Sequence, residues 1–337
     1  MPNVDDATFI RELYASLLGR APKGEEESDW AAVLRGGVSD RKVFRKFITS
    51  PEYRAKHRVH PGHPLGHYYS PVVDPITARK FWSNKTTISP DQLMGMAISI
   101  PEMLVFWQQL SPILATTSFP KNKKDSSRYY WNNSFYSIGD AAVLRAMIGY
   151  KKPRRIIEIG SGFSSACMLD TLDELHLNNT RLTFIEPYPE RLLSLLREHD
   201  RNRTTLIQSM VQNVDLGLFD ELERDDIAFI DSSHVLKTGS DVNFELFDIL
   251  PRLKSGVVIH FHDVHYPFEL PERWVFRERY SWNEVYALRA FLMYNSNFKV
   301  LFFNHLFAVH NRDAVDRVCP EILTNPGGSL WIQKVAM

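Results

Sequence analysis

The chain has 337 residues, more than a single domain usually holds, so two domains are expected. Hydrophobic residues make up 44% and charged residues 24%, the make-up of an ordinary globular protein. Lys plus Arg and Asp plus Glu number 40 each, so the net charge of zero argues against a broad basic face for nucleic acid, leaving room only for a local groove, and no apolar run reaches the roughly eighteen residues of a membrane span.

The start, Met-Pro-Asn-Val-Asp-Asp, is acidic and lacks the basic and apolar regions of a signal peptide, which points to a cytoplasmic protein. Phe9, Leu13, Tyr14 and Leu17 recur at helical spacing, with Gly19 and Pro22 as stop signals. A second amphipathic stretch follows near Trp30–Leu34. A third, Asp40–Thr49, is expected to hold Val43, Phe44 and Phe47 on one face. Residues 1–58 are therefore read as a small helical domain. Leu-Leu-Gly-Arg-x-Pro, Trp30 and Phe47-x-x-Ser50-Pro-Glu52 resemble a helical domain of unknown function found in bacterial cell-surface polysaccharide proteins and similar to phycobilisome linkers. That family often has a glycine shortly before the tryptophan, where this chain has Glu26. The domain is either a packing appendage or a module that takes a protein partner, and oligomerisation is equally open.

Residues 59–127 read as a linker and a helical cap. Gly62-His-Pro-Leu-Gly-His-Tyr-Tyr-Ser-Pro71 is too rich in Gly, Pro and His for a helix. Its Tyr68-Tyr69-Ser70-Pro71 end is expected to dock over a ligand mouth, since two exposed tyrosines cost solubility. Residues 90–115 read as helical. The run Arg128 to Asp140 carries more hydrogen-bonding side chains than a scaffold segment needs.

Arg154 to Ala166 is the most informative stretch. An apolar strand carries Glu158 near its end, then comes a sharp turn on Gly160, Ser161 and Gly162, and a helix opens at Ser164 or Ser165. Glycine lets the backbone take φ > 0 or lie close to a ligand, and a helix start offers free N–H groups. No Gly-Lys-Ser/Thr follows, so this is not a phosphate-cradling P-loop. A second strand, Leu182–Glu186, ends in an acid before Pro187, placed to accept hydrogen bonds from ribose hydroxyls. A helix from Glu190 to His199 precedes a short strand, Thr205–Gln208. A fourth strand, Asp226–Asp231, runs into Ser-Ser-His234. A helix from Ser240 to Leu250 leads to a fifth, Gly256–Asp263. Such alternation implies a parallel sheet covered on both faces, with ligands at the carboxyl ends of its strands. Glu158, Glu186, Asp231, His234, His262 and Asp263 all gather there. Cys167, in the helix after the glycine turn, reads as a small packing residue.

Beyond Asp263, Val264–Trp274 has two prolines and several aromatics and reads as a lid. Trp282, Tyr286 and Phe291 read as packing residues, whereas Asn283 and Glu284 are expected to face the pocket. The pair Phe298–Phe303 and Ser329–Gln333 reads as two further strands, giving an α/β, Rossmann-like seven-stranded sheet.

From about Arg128 to Lys334 the chain resembles the class I S-adenosylmethionine-dependent methyltransferases. The residues that carry the resemblance are the Gly160-Ser161-Gly162 turn, Ile-Asp-Ser-Ser-His on strand four and His-Asp after strand five. The branch it resembles acts on sugars and secondary metabolites. The resemblance implies that residues 128–337 bind S-adenosylmethionine through Glu158, Gly160, Ser161, Gly162, Glu186, Pro187 and Asp231, with Gln208 and Ser209 near the adenine. It further implies an O-methyltransferase acting on a hydroxyl of a sugar or cell-surface glycan or glycoconjugate. An NAD-dependent oxidoreductase is the rival reading, but Ser165 stands where a third glycine would fall. A catalytically silent assembly subunit of a polysaccharide pathway is another.

Methyl transfer to oxygen is an in-line displacement that needs the acceptor's proton removed. His234 is the preferred base, with Asp231 and His262 beside it, since imidazole titrates near neutrality. A histidine that merely caps the next helix is the plain alternative. Asp231 and Asp263 close adjacent strands and are candidates to share Mg²⁺. Related metal-dependent enzymes place an acidic pair after strand five, where this chain has His262 first, so the metal question stays open.

Overall fold

The computed structural model describes residues 6–56, 66–83, 89 and 93–335. The chain divides into two compact units, Met1–Asp74 and Pro75–Met337. The boundary expected near residue 58 and the start of the 62–71 linker lie outside the described residues.

In the first unit, helices Asp6–Leu13, Glu26–Arg35, Asp40–Thr49 and Pro51–Lys56 enclose a core of Ile10, Leu13, Tyr14, Leu18, Leu34, Val43 and Phe47. The first helix continues as a wider turn through Leu18, which swings Ile10 and Leu18 fully inward and leaves Phe9 and Leu17 partly buried. Phe44 was expected beside Val43 and Phe47 but is exposed, because residues four apart share a helix face and adjacent ones do not. Arg20 joins the motif residues. Its guanidinium bonds Glu26 at 2.8 Å and Glu52 at 2.5 Å and lies 4.8 Å over the Tyr14 ring. Tyr68 and Tyr69 are exposed and lie against each other and against His67.

The second unit is built on a seven-stranded sheet. Its strands are β1 Arg155–Ile159, β2 Arg181–Ile185, β3 Thr204–Ile207, β4 Ile227–Ile230, β5 Val258–Phe261, β6 Phe298–Phe303 and β7 Leu330–Lys334. The order is β3-β2-β1-β4-β5-β7-β6, with β1 to β5 parallel and β7 antiparallel to both of its neighbours. The sequence reading of this sheet holds. The β strands of the middle are buried on both faces, which is why they read as unbroken apolar runs. Helix Ile138–Lys151 is buried all round from Ile138 to Ile148, packed among helices Ile100–Leu114, Phe163–Glu174 and Asn304–His310. Helix Ile100–Leu114 starts ten residues later than the sequence suggested. Ser99 accepts from the Glu102 N–H and Pro101 occupies the first turn, so the start is fixed there. Short helices Asn304–His310 and Arg312–Val318 carry the chain from β6 to β7. Among the described residues no helix is long and apolar enough to cross a membrane.

The 128–140 run is tied down by a buried cation. Arg128 bonds Asp170 at 2.7 Å, Asp173 at 2.8 Å and Asp200 at 2.6 Å. Tyr129 donates to the backbone oxygens of Tyr136 and Ser137, and Asn133 pairs with the backbone of Tyr130, Phe135 and Tyr136. Many of its polar groups thus close this loop on itself. Asp200 is fully buried, and Arg128→Ala would leave it only the longer 3.6 Å contact with Arg203 and the Arg197 N–H; a loss of about 3 kcal/mol is expected in denaturant unfolding.

Candidate active site

The strand ends are in step. Ile159 is level with Ile185 on one side and Ile230 on the other. The ladder then continues one residue further: Gly160 N–H donates to Ile185 O, Asp231 N–H to Ile159 O, and His262 N–H to Ile230 O. Glu186, Gly160, Asp231 and His262 therefore stand in a row across the sheet's carboxyl edge. Gly160 has φ +75°, and a Cβ there would lie 1.9 Å from Asp231 O, so no other residue fits.

Two cavities open at this edge. One, of about 390 Å³, is lined by Gly160, Glu186, Pro187, Met210, Gln212 and Asp231. Glu186 accepts from the N–H groups of Ser161 (2.9 Å) and Tyr188 (2.8 Å), which fixes its carboxylate at the rim. Gln208 is exposed and Ser209 bonds Met210 O; the wall expected from them is made instead by Met210 to Gln212, just beyond. Gly162 opens the helix Phe163–Glu174. Glu158 is completely buried and accepts hydrogen bonds from the Ser164 and Ser165 hydroxyls. Burial pushes its carboxyl up to about 8 despite those two donors.

The second cavity, of about 840 Å³, is walled by the 131–138 loop, His262, Asp263, His265 and the aromatic rings Trp274, Tyr280 and Trp282. Tyr280 and Trp282 stack at 4.3 Å, and Trp274 meets Trp282 edge-on at 5.3 Å. Trp282 was expected to be a packing residue. It lines this chamber and lies 4.4 Å from the His234 ring. Tyr286 is exposed, while Phe291 does pack, 4.8 Å from Phe298.

His234 joins the two cavities without lining either. Its Nε2 is 3.5 Å from Asp231 Oδ1 and 3.6 Å from Asp263 Oδ2, and its Nδ1 is 2.8 Å from Glu284 Oε2. His262 Nε2 is 3.4 Å from Asp263 Oδ1. Burial alone would lower the His234 pKa, but the three carboxylates outweigh it and raise it well above the ordinary value. The surrounding carboxylates thus favour the charged form of the ring. Burial also opposes ionisation of Asp231, yet His262 and His234 hold its carboxyl down at about 2. Burial moves Asp263 the other way, above the usual carboxylate range, against the pull of both histidines.

His234 and Asp263 both have left-handed backbones, φ +59° and +58°, an arrangement that costs a non-glycine residue of order 1 kcal/mol and collects at functional sites. The turn aims His234 O at the N–H groups of Asn283 and Glu284, at 3.1 and 3.2 Å. Asn283 also pairs with both backbone groups of Leu236. Asn283 and Glu284 line neither cavity. They hold the histidine loop from behind, a role that the Trp-Asn-Glu run did not disclose.

A magnesium ion was considered for Asp231 and Asp263. Among the described residues no group of three or more acidic, histidine or cysteine side chains is arranged to hold a metal. The His234 Nε2 lies within 3.6 Å of both carboxylates, and His262 supplies nitrogen where a hard cation prefers oxygen. The residues as they stand do not fit magnesium.

Residues 157–264 match a family model described as a methyltransferase domain, and residues 1–57 match one described as a domain of unknown function. An uncharacterized protein of Archaeoglobus fulgidus is 30% identical over 199 residues, which cover 58% of this chain and 82% of the relative. Among solved structures, the SAM complex of the O-methyltransferase TomG from Streptomyces achromogenes, involved in tomaymycin synthesis, is 14% identical. The match covers 77% of this chain and 96% of that one, with a TM-score of 0.40. The SAH-bound methyltransferase PaMTH1 of Podospora anserina is 15% identical over the same shares, with a TM-score of 0.38. These superpositions are too loose to carry residue correspondences.

Glu158 gives a pH signature. Its folded pKa of about 8 exceeds the ordinary 4.5, so above 4.5 the unfolded chain loses a proton that the folded one keeps. Its contribution should favour the fold below about pH 4.5 and be lost as pH rises towards 8. Chemical denaturation of Glu158→Gln, compared with the parent chain across that range, should show a flatter pH dependence.

Proposed function

We propose that this chain, residues 157–264 of which match a methyltransferase domain, is a class I S-adenosylmethionine-dependent methyltransferase that transfers the methyl group to a hydroxyl of a saccharide acceptor. In this reading the cofactor is S-adenosylmethionine. The observation that carries the acceptor reading is the shared imidazole: Asp231 lines the cleft at the glycine turn, Asp263 lines the aromatic chamber, and both reach the same His234 Nε2. Cofactor and acceptor held in those two cavities would meet at this cluster.

In this reading Gly160, Ser161 and Gly162 underlie the amino-acid part of the cofactor and Glu186 takes the ribose, with Pro187 and Met210–Gln212 around the base. Glu158 acts through Ser164 and Ser165 by fixing the helix start. The acceptor lies against Trp274 and Trp282, whose flat faces suit a sugar ring. Its hydroxyl points to Asp263, the member of the cluster with an oxygen in the chamber. The bound cofactor would supply the methyl group, and Asp263 would take the proton that the acceptor hydroxyl gives up. Burial, by raising the Asp263 pKa, makes it a better proton acceptor. His234, whose charged form the carboxylates favour, holds Asp263 and Asp231 in place; it shares the catalytic work with Asp231 and His262 rather than acting as a lone base. The polar, ring-lined chamber and the resemblance of residues 1–58 to a domain of surface-polysaccharide proteins support a glycan or glycoconjugate acceptor. The same resemblance supports a protein partner for residues 1–58.

The test is formation of S-adenosylhomocysteine against a panel of oligosaccharides, sugar nucleotides and phenols. Turnover with saccharides only is expected; turnover with phenols only would overturn the acceptor class, and none with any cell-envelope extract would favour a silent assembly subunit. Asp263→Asn and His234→Ala should each lower kcat by roughly 10²–10⁴-fold with cofactor affinity kept. An Asp263→Asn enzyme of parental rate would return the base to His234. Activity is expected to survive excess chelator. Loss on chelation with recovery in Mg²⁺ or Mn²⁺ would instead make Asp231 and Asp263 metal ligands.

A further inference from the structure

The amino-acid end of S-adenosylmethionine carries a carboxylate, and the groups already placed around the glycine turn are acids. Glu186 and Asp231 both stand there, so an entering anion needs a cation to offset desolvation and repulsion. Arg273 lines the larger chamber but is 3.0 Å from Glu278. Lys237 lines the smaller cavity from the 237–241 loop, which Gln212 ties through Gly239 O, but no contact brings it against Gly160 to Gly162.

Arg191 remains. It sits in the first turn of helix Glu190–Leu195, five residues after Glu186. A Cβ on Gly162 would lie 3.0 Å from its Cδ and 3.8 Å from its Nη1, so the side chain runs directly along the turn. Its guanidinium carbon is 3.7 Å over the ring of Phe135, which itself stacks parallel to Phe163 at 6.0 Å and lines the chamber. Among the described residues Arg191 makes no ion pair.

We propose that Arg191 binds the carboxylate of the cofactor's amino-acid end, held for that purpose over Phe135 and beside Gly162. Stacking fixes the plane of a guanidinium while leaving its N–H edge free, the geometry that takes a carboxylate with two parallel hydrogen bonds. The glycine at 162 is what lets the side chain approach so closely. The helix that opens at Phe163 adds its positive end on the same side. Arg191 is exposed and its removal leaves no buried partner, so the variant should fold.

The experiment is calorimetric titration of the full chain with S-adenosylhomocysteine and with 5′-methylthioadenosine, which keeps the adenosine and thioether but lacks the amino-acid end. Arg191→Ala should raise the Kd for S-adenosylhomocysteine about tenfold, the loss of one charge-assisted contact, and change that for 5′-methylthioadenosine by less than about twofold. Arg191→Lys should recover part of the loss. Equal weakening of both ligands, with or without a lowered Tm, would mean that Arg191 only shapes the turn and would overturn the assignment. So would an unchanged affinity for S-adenosylhomocysteine. Neither outcome depends on what the acceptor is.

Discussion

Because β2, β1, β4 and β5 end level with one another, the next residue of each is delivered to a single line. A parallel ladder slants its hydrogen bonds evenly, so one register runs without interruption from Ile185 through Ile159 and Ile230 to the residue after Phe261. That register is held by buried β-branched and aromatic side chains on both faces, and a slip of one residue would carry every one of them to the opposite face, among neighbours it is not shaped to fit. The chemistry is thus positioned by the most stable part of the fold. Gly160 tightens the arrangement further, since the turn after β1 presses its backbone onto Asp231 O with no room for a side chain.

Within that line the charges are arranged as a shared arrangement, not as separate acids and bases. One imidazole ring faces three carboxylates, two of which look into different cavities. The loop that holds the ring is bent into the left-handed region at His234 and laced from behind by Asn283 and Glu284. Removing a single member would therefore disturb the ionisation of all of them. The same reasoning explains why Asp231 and Asp263, alike in sequence and at the ends of adjacent strands, move in opposite directions from their ordinary pKa values.

Much of this was legible in the chain. Fully buried parallel strands appear as short apolar runs, and residues just past them are where polar side chains can emerge, so Glu186, Asp231, His262 and Asp263 could be placed without coordinates. What stayed hidden depended on contacts distant in sequence. Glu284 is fifty residues from the histidine it holds, and nothing near it reports that pairing. Trp282 reads as core because aromatic residues before a helix usually are, whereas here the irregular 277–283 segment turns it onto His234. The cleft wall shifted from Gln208 and Ser209 to Met210–Gln212 because β3 stops at Ile207 and the chain bends before it reaches the opening. In the first unit, Phe44 was misplaced for a local reason, the 100° step between neighbouring helix residues.

The strand order bears on how the two cavities are walled. β7 is the last strand in the chain, yet it is inserted between β5 and β6, and the residues leading into it close the chamber. Gly328 O accepts from the Val264 N–H next to Asp263, and the Ser329 hydroxyl donates to Asp140. The smaller cavity is thus walled by residues that follow the parallel strands alone, whereas the larger one is completed by the segment that enters β7, so a change near Gly328 would open one cavity and spare the other.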